Sequence, residues 1–199
     1  MIFYGQPILS GLPIIHLPVK YSASFLVYKV MRYLNYITIL AVVAIALSGC
    51  EKINNESLPN YSVRINLGEY GMWNTYGVHS LGEYRIFNRA KGIPSNFPFN
   101  VNTYTGFGGV LLFMGQDMQS GGAVPLAFDM ACPVEHNAEV TVTIDDNTLD
   151  AVCTKCGSHY DVLLGGGGPR SGTAIDRKVG LNPYKVRPTS SGGYIISNY

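Results

Sequence analysis

Three cysteines confined to two short loops constrain this chain more than any other feature. ACPVEHN (131–137) carries Cys132, and VCTKCGSHYD (152–161) carries Cys153 and Cys156. Each loop follows one predicted strand and precedes another, so each reads as a hairpin tip. A Cys-x-x-Cys turn sets two thiols on one side of a tight loop, and Gly157, directly after, permits the close turn. A closed tetrahedral site on Cys132, Cys153 and Cys156 needs one more ligand. His136, four residues after Cys132, is the first candidate and Glu135 the second. Such a site would hold a structural zinc ion and pin two hairpins together. The same residues also allow a metal-free domain, with a Cys153–Cys156 disulfide and Cys132 as an inert buried thiol.

The rest of the chain reads as all-β, a small barrel or sandwich of short antiparallel hairpins. SVRINL (62–67) alternates apolar and polar residues. EYRIFN (83–88) is a short strand inside a long irregular stretch, 68–109, rich in Gly, Asn, Tyr and Pro. GVLLFMG (109–115) is continuously apolar and predicts a buried strand, with PLAFDM (125–130) as its hairpin partner. EVTVTID (139–145) predicts one strand with Val140, Val142 and Ile144 on a single face. TLDAVC (148–153) and YDVLL (160–164) follow, and YKVRP (184–188) with GYIISN (193–198) forms a last hairpin. No segment after Cys50 shows a helical period of three turns. GGGGPRSG (165–172) lacks the Lys-Ser/Thr of a phosphate loop and precedes no predicted helix; it reads as a mobile turn.

Residues 31–50, MRYLNYITILAVVAIALSGC, begin with Met31 and Arg32 and continue as an apolar run, Ile37 to Leu47. That run is shorter than the ~20 apolar residues of a spanning helix and fits a secretory signal. LSGC (47–50) resembles the lipobox of bacterial lipoproteins, which implies acylation and cleavage at Cys50. On that reading residues 1–30 precede the true start at Met31, residues 31–49 are the signal peptide, and residues 50–60 are a polar, disordered tether. Residues 61–199 then form the folded domain. Lipid at Cys50 implies an exported protein anchored to the bacterial cell envelope, at the outer membrane or a periplasmic face. It also leaves three cysteines, an odd number that cannot all pair within the chain.

CTKCGSHYD resembles the second cluster-binding loop of Rieske proteins, roughly Cys-x-x-His-Gly-Ser-x-Tyr-Asp. ACPVEH stands where their first loop reads Cys-x-His, and a hairpin of about sixteen residues separates the two. PLAFDMAC resembles the strand leading into the first loop, SGTA (171–174) stands in place of the loop that covers the cluster, and YKVRPTSSGGYIIS resembles the closing hairpin. The likeness spans about residues 109–198 and is nearest to Rieske-like lipoproteins of the Bacteroides group. It implies the Rieske fold, a [2Fe–2S] cluster, electron transfer and a redox partner protein. In that family one iron takes two Cys and the other two His. Here Cys132 and Cys153 match the cysteine positions, while Val134 and Cys156 stand where the two histidines should be. Asn137 and Lys155 stand where respiratory members carry a disulfide. Ser158 and Tyr160 match the hydroxyls that donate toward cluster sulfurs. The cofactor implied is therefore zinc, a [2Fe–2S] cluster with altered ligands, or none.

Other classes find no support. Only 14% of residues are charged, with a net charge of +1 and no Lys/Arg cluster, so nothing suggests nucleic acid as a partner. No Ser-His-Asp or paired-carboxylate spacing is readable, and the chain is not expected to be an enzyme. His159 is expected to face solvent.

Overall fold

Apolar residues in strand-forming runs dictate most of what the chain builds. The computed structural model describes residues 22–46, 52–164 and 166–198. They fall into two units, one ending at Glu51 and one running from Lys52 to Tyr199.

The first unit contributes one helix, α1 (Ser22–Ala46). It runs unbroken across Met31, where no helical period was readable. The physical reason is that its second half, ITILAVVAIA (37–46), is apolar at every position but one, so no one-sided stripe marks it. Among the described residues no helix is long and apolar enough to cross a membrane. Cys50 and the end of the proposed signal segment lie outside the described residues.

The second unit is predominantly β. In chain order it holds β1 (Val63–Glu69), α2 (Tyr70–Tyr76), β2 (Tyr84–Phe87), β3 (Tyr104–Thr105), β4 (Val110–Gln116) and β5 (Ala123–Asp129). Then come β6 (Ala131–Cys132), β7 (Asn137–Thr141), β8 (Thr143–Ile144), β9 (Ala151–Val152), β10 (His159–Asp161) and β11 (Gly168–Ser171). α3 (Thr173–Arg177), β12 (Pro183–Pro188) and β13 (Gly192–Ser197) complete it. Seven strands form one antiparallel sheet in the order β2-β4-β5-β12-β13-β1-β3. It curls until its edges nearly meet: the Arg89 N–H, just past β2, donates to Thr105 Oγ1 at 3.3 Å, and Arg89 Nη1 donates to the Thr103 carbonyl at 3.0 Å.

β4 explains why GVLLFMG is apolar at every position. Val110, Leu112 and Met114 face the barrel interior with Val63, Ile65, Leu67, Phe87 and Ile196. Leu111 and Phe113 face the other way, into a second core with Phe128, Met130, Tyr160, Val162 and Leu181. A strand covered on both faces has no polar side to alternate with. The irregular stretch 68–109 supplies the barrel's filling: Phe97 stacks edge-on against Tyr76, Phe87 and Phe99 at centroid distances of 5.1, 5.2 and 4.8 Å.

The second core carries a four-stranded sheet, β11-β10-β9-β8, and the β6–β7 pair. Here several expectations change. EVTVTID is two strands of different sheets, not one, with a break at Val142. Val142 is buried, and Val140 and Ile144 still pack on the same core. Within the glycine run, Gly168–Ser171 is a paired strand, and the Gly167 N–H donates to the Asp161 carbonyl at 2.9 Å. Gly165 lies outside the described residues. The tether is also partly laid down: Asn54 pairs with Val179, Asn55 Nδ2 donates to the Gly166 carbonyl at 2.7 Å, and Leu58 is buried. Backbone pairing and asparagine amides need no apolar period, so composition does not reveal them.

Candidate metal centre

The two cysteine loops are built alike. In the first, the N–H of Glu135 and of His136 reach back to the Cys132 carbonyl at 3.2 and 3.0 Å. In the second, the Gly157 N–H reaches the Cys153 carbonyl at 2.9 Å, and the Cys153 N–H donates to the Ser158 carbonyl at 3.0 Å. Each turn ends four residues after its first cysteine on a left-handed residue, His136 with φ 50° and Gly157 with φ 67°. His136 is thus the counterpart of Gly157, the residue that closes the turn. Glu135 is the counterpart of Cys156.

This arrangement brings three thiols together. The Sγ atoms of Cys132, Cys153 and Cys156 all lie within 4.8 Å of one another, and Cys132 and Cys156 approach to 3.6 Å. All three are free thiols; Cys132 and Cys153 are buried and Cys156 half-buried. Three such atoms can hold a metal ion. For comparison, a tetrahedral ion with ~2.3 Å metal–sulfur bonds sets its sulfurs about 3.8 Å apart.

The other predicted residues are placed as follows. His136 is exposed and is not in the group. Glu135 is also outside it; its carboxylate pairs with Lys155 Nζ at the rim. Ser158 and Tyr160 both reach the sulfurs. Cys156 Sγ donates to Ser158 Oγ at 3.2 Å, and Tyr160 Oη lies 3.5 Å from Cys132 Sγ. Val134 is 7% exposed and packs into the core. His159 does not simply face solvent: it is half-buried, with Nδ1 3.6 Å from an Asp150 carboxylate oxygen.

Burial governs the electrostatics. It pushes the Cys132 thiol up to about 12 and raises the Tyr160 hydroxyl well above its ordinary range. Burial also acts to raise Cys156, but hydrogen bonds from Ser158, then from the neighbouring thiols, outweigh it and hold Cys156 below its usual value. Ser158 is fully buried and its Oγ accepts the Ala174 N–H at 3.0 Å. With that lone pair occupied, the hydroxyl proton is free to turn to Cys156 once it ionises.

Sequence reasoning missed the residues that hold the two loops together. α3 joins them: Ala174 binds the second loop through Ser158, and Arg177 Nη1 donates to the Val134 carbonyl of the first at 2.9 Å. No motif marks TAIDR, because a single helical turn this short has no period to read. Asp129 was missed as well. Its buried carboxylate accepts the N–H groups of Phe107, Gly108 and Ala131 at 2.9, 3.0 and 2.8 Å, and the Tyr184 hydroxyl. It thereby ties the barrel to the residue before Cys132.

The chain matches no protein-family model, no curated protein and no solved structure.

Proposed function

We propose that residues 52–199 form a non-enzymatic metal-binding domain with one structural zinc ion on Cys132, Cys153 and Cys156. The observation that carries this reading is the mutual approach of the three sulfurs within 4.8 Å, with 3.6 Å between Cys132 and Cys156. The Rieske resemblance would assign Cys132 and Cys156 to different irons, with bridging sulfide between them. A 3.6 Å separation favours one shared ion instead. The likeness of the two loops favours Glu135 over His136 as the fourth ligand, since Glu135 matches Cys156 in position and needs only to leave Lys155. Zinc would link the two loops directly, beside the bridge that α3 already makes through Ala174 and Arg177.

The polar groups around the sulfurs support a second reading, a [2Fe–2S] cluster serving electron transfer to a redox partner. Hydroxyls at Ser158 and Tyr160 face two of the thiols, as the resemblance implies. On either reading the domain has a Rieske-like fold and is exported and held at the cell envelope by lipid on Cys50.

Elemental analysis of purified protein with the variants Cys156→Ser, Glu135→Gln and His136→Ala tests the first reading. We expect stoichiometric zinc, lost in Cys156→Ser, weakened in Glu135→Gln and kept in His136→Ala. A brown preparation carrying two irons would favour the second reading, and a metal-free protein would overturn both.

A further inference from the structure

Most cations of the β domain are already engaged. Among the described residues from Ser62 onward, Arg85, Lys91, Lys155 and Arg170 sit in ion pairs with carboxylates. Arg89 and Arg177 donate to backbone carbonyls, and Lys178 also has a partner. Arg64, Lys185 and Arg187 remain, exposed and with no ion pair or hydrogen bond from their side chains.

The ladder collects these three on one surface. Val63, Ile65 and Leu67 point into the barrel, so Arg64 points out. Directly opposed residues of paired strands share a face. Arg64 is opposite Ser197, Ser197 is opposite Lys185, and Ile195 is opposite Arg187. The outward positions paired across these strands include Arg64, Asn66, Lys185, Arg187, Ile195 and Ser197, with no carboxylate among them; Glu69, exposed at the end of β1, shares a cleft with Asn66 and pairs with none of the three cations. Arg64 and Lys185, two strands apart, stand roughly 10 Å from each other. Arg64 and Arg187 line one cleft of about 350 Å³ with Tyr104 and Ile195. Tyr104 and Tyr61 line the adjoining cleft, 46% and 56% exposed.

We propose that this β12–β13–β1–β3 face docks on an anionic phospholipid surface. Arg64, Lys185 and Arg187 would meet headgroup phosphates, and Tyr61 and Tyr104 would lie at headgroup level, where an apolar ring with a wet hydroxyl is favoured. Charge complementarity argues for an anion, since carboxylates elsewhere neutralise four cations and here neutralise none. The exposed tyrosines suit headgroup level, where the ring is partly buried and the hydroxyl stays wet; stacked bases would use the same rings, and the single-stranded DNA arm of the test separates the two. The inference is independent of the metal reading. It does not require the acyl anchor, which would only raise the local concentration of lipid.

The test uses the full chain, partitioned between buffer and vesicles of phosphatidylcholine, with and without phosphatidylglycerol. The preference for phosphatidylglycerol vesicles is the readout, because an anchoring segment contributes to both kinds. About fivefold per surface charge is expected, so R64Q/K185Q/R187Q should lower the preference by roughly a hundredfold. R85Q/K91Q, which removes two paired cations, should change it little. Near-UV circular dichroism and metal content serve as checks on folding. An unchanged preference in the triple variant would overturn the proposal, as would an equal loss in the control. Loss of binding to a short single-stranded DNA with vesicle preference intact would also overturn it, in favour of a soluble polyanion.

Discussion

Ser158 connects the two sides of the thiol site through one oxygen, which accepts from Cys156 Sγ and from the Ala174 N–H. Replacing Ser158 with Ala removes the hydroxyl that stabilises the Cys156 thiolate. A hydrogen bond to a charged group is worth ~1.5–3 kcal/mol, so zinc affinity should fall about tenfold or more in a chelator competition. Proton linkage gives a second expectation. Burial pushes the metal-free Cys132 thiol up to about 12, so it is protonated across the neutral range and binding must displace that proton. Protons released on binding make affinity rise with pH, by at least about tenfold per unit from roughly pH 6 to 8. Competition titrations across that range measure the slope, and a flat profile would show that Cys132 is not a ligand. At this scale the sequence was informative about the thiols, because spacing alone placed two on one loop and one on another. It was not informative about His136 against Glu135. That choice depends on which residue takes the left-handed turn, and a histidine reads first as a ligand.

The elements around the site distinguish two glycines of similar conformation. A Cβ on Gly172 would fall 2.7 Å from the Gly157 carbonyl oxygen and 2.8 Å from Ser158 Cα, whereas one on Gly157 would meet nothing within 4 Å. Gly172 is where the chain enters α3 against the second loop, so nothing there can move without moving the thiols. Gly172→Ala should destabilise by about 3 kcal/mol or more and weaken metal binding, while Gly157→Ala should cost only the left-handed backbone, ~1–2 kcal/mol. Denaturant midpoints of both variants check the order. Asp129→Ala would leave three N–H groups and the Tyr184 hydroxyl unpaired, and should cost about 3–5 kcal/mol in the same measurement. Hairpin strands such as 110–116 and 192–197 were legible because runs of Val, Ile, Leu and Phe satisfy the strand period or fill both faces. The division of EVTVTID was not, since Val140, Val142 and Ile144 face one core whether the strand is continuous or broken. α2 and α3 were not legible either; at 7 and 5 residues they are too short to show a period.

At the largest scale, the described residues of the second unit are organised around two cores that share β4 and β5. One is a nearly closed barrel filled by aromatic residues from 68–109. The other packs on the barrel's outer surface and ends in the three thiols. The all-β class was readable from the sequence. The barrel's closure was not, because it depends on Arg89 reaching Thr103 and Thr105 across a gap that no pattern marks. If zinc links the two loops, removing it should loosen the outer core first, since the barrel has its own apolar interior. Whether one metal ion sits on the three thiols is read by X-ray absorption at the metal edge of the purified chain. One zinc per chain is expected, with three sulfur neighbours at ~2.3 Å and one lighter ligand. Two irons with bridging sulfide, or a metal-free protein with Cys153 and Cys156 joined, would contradict it.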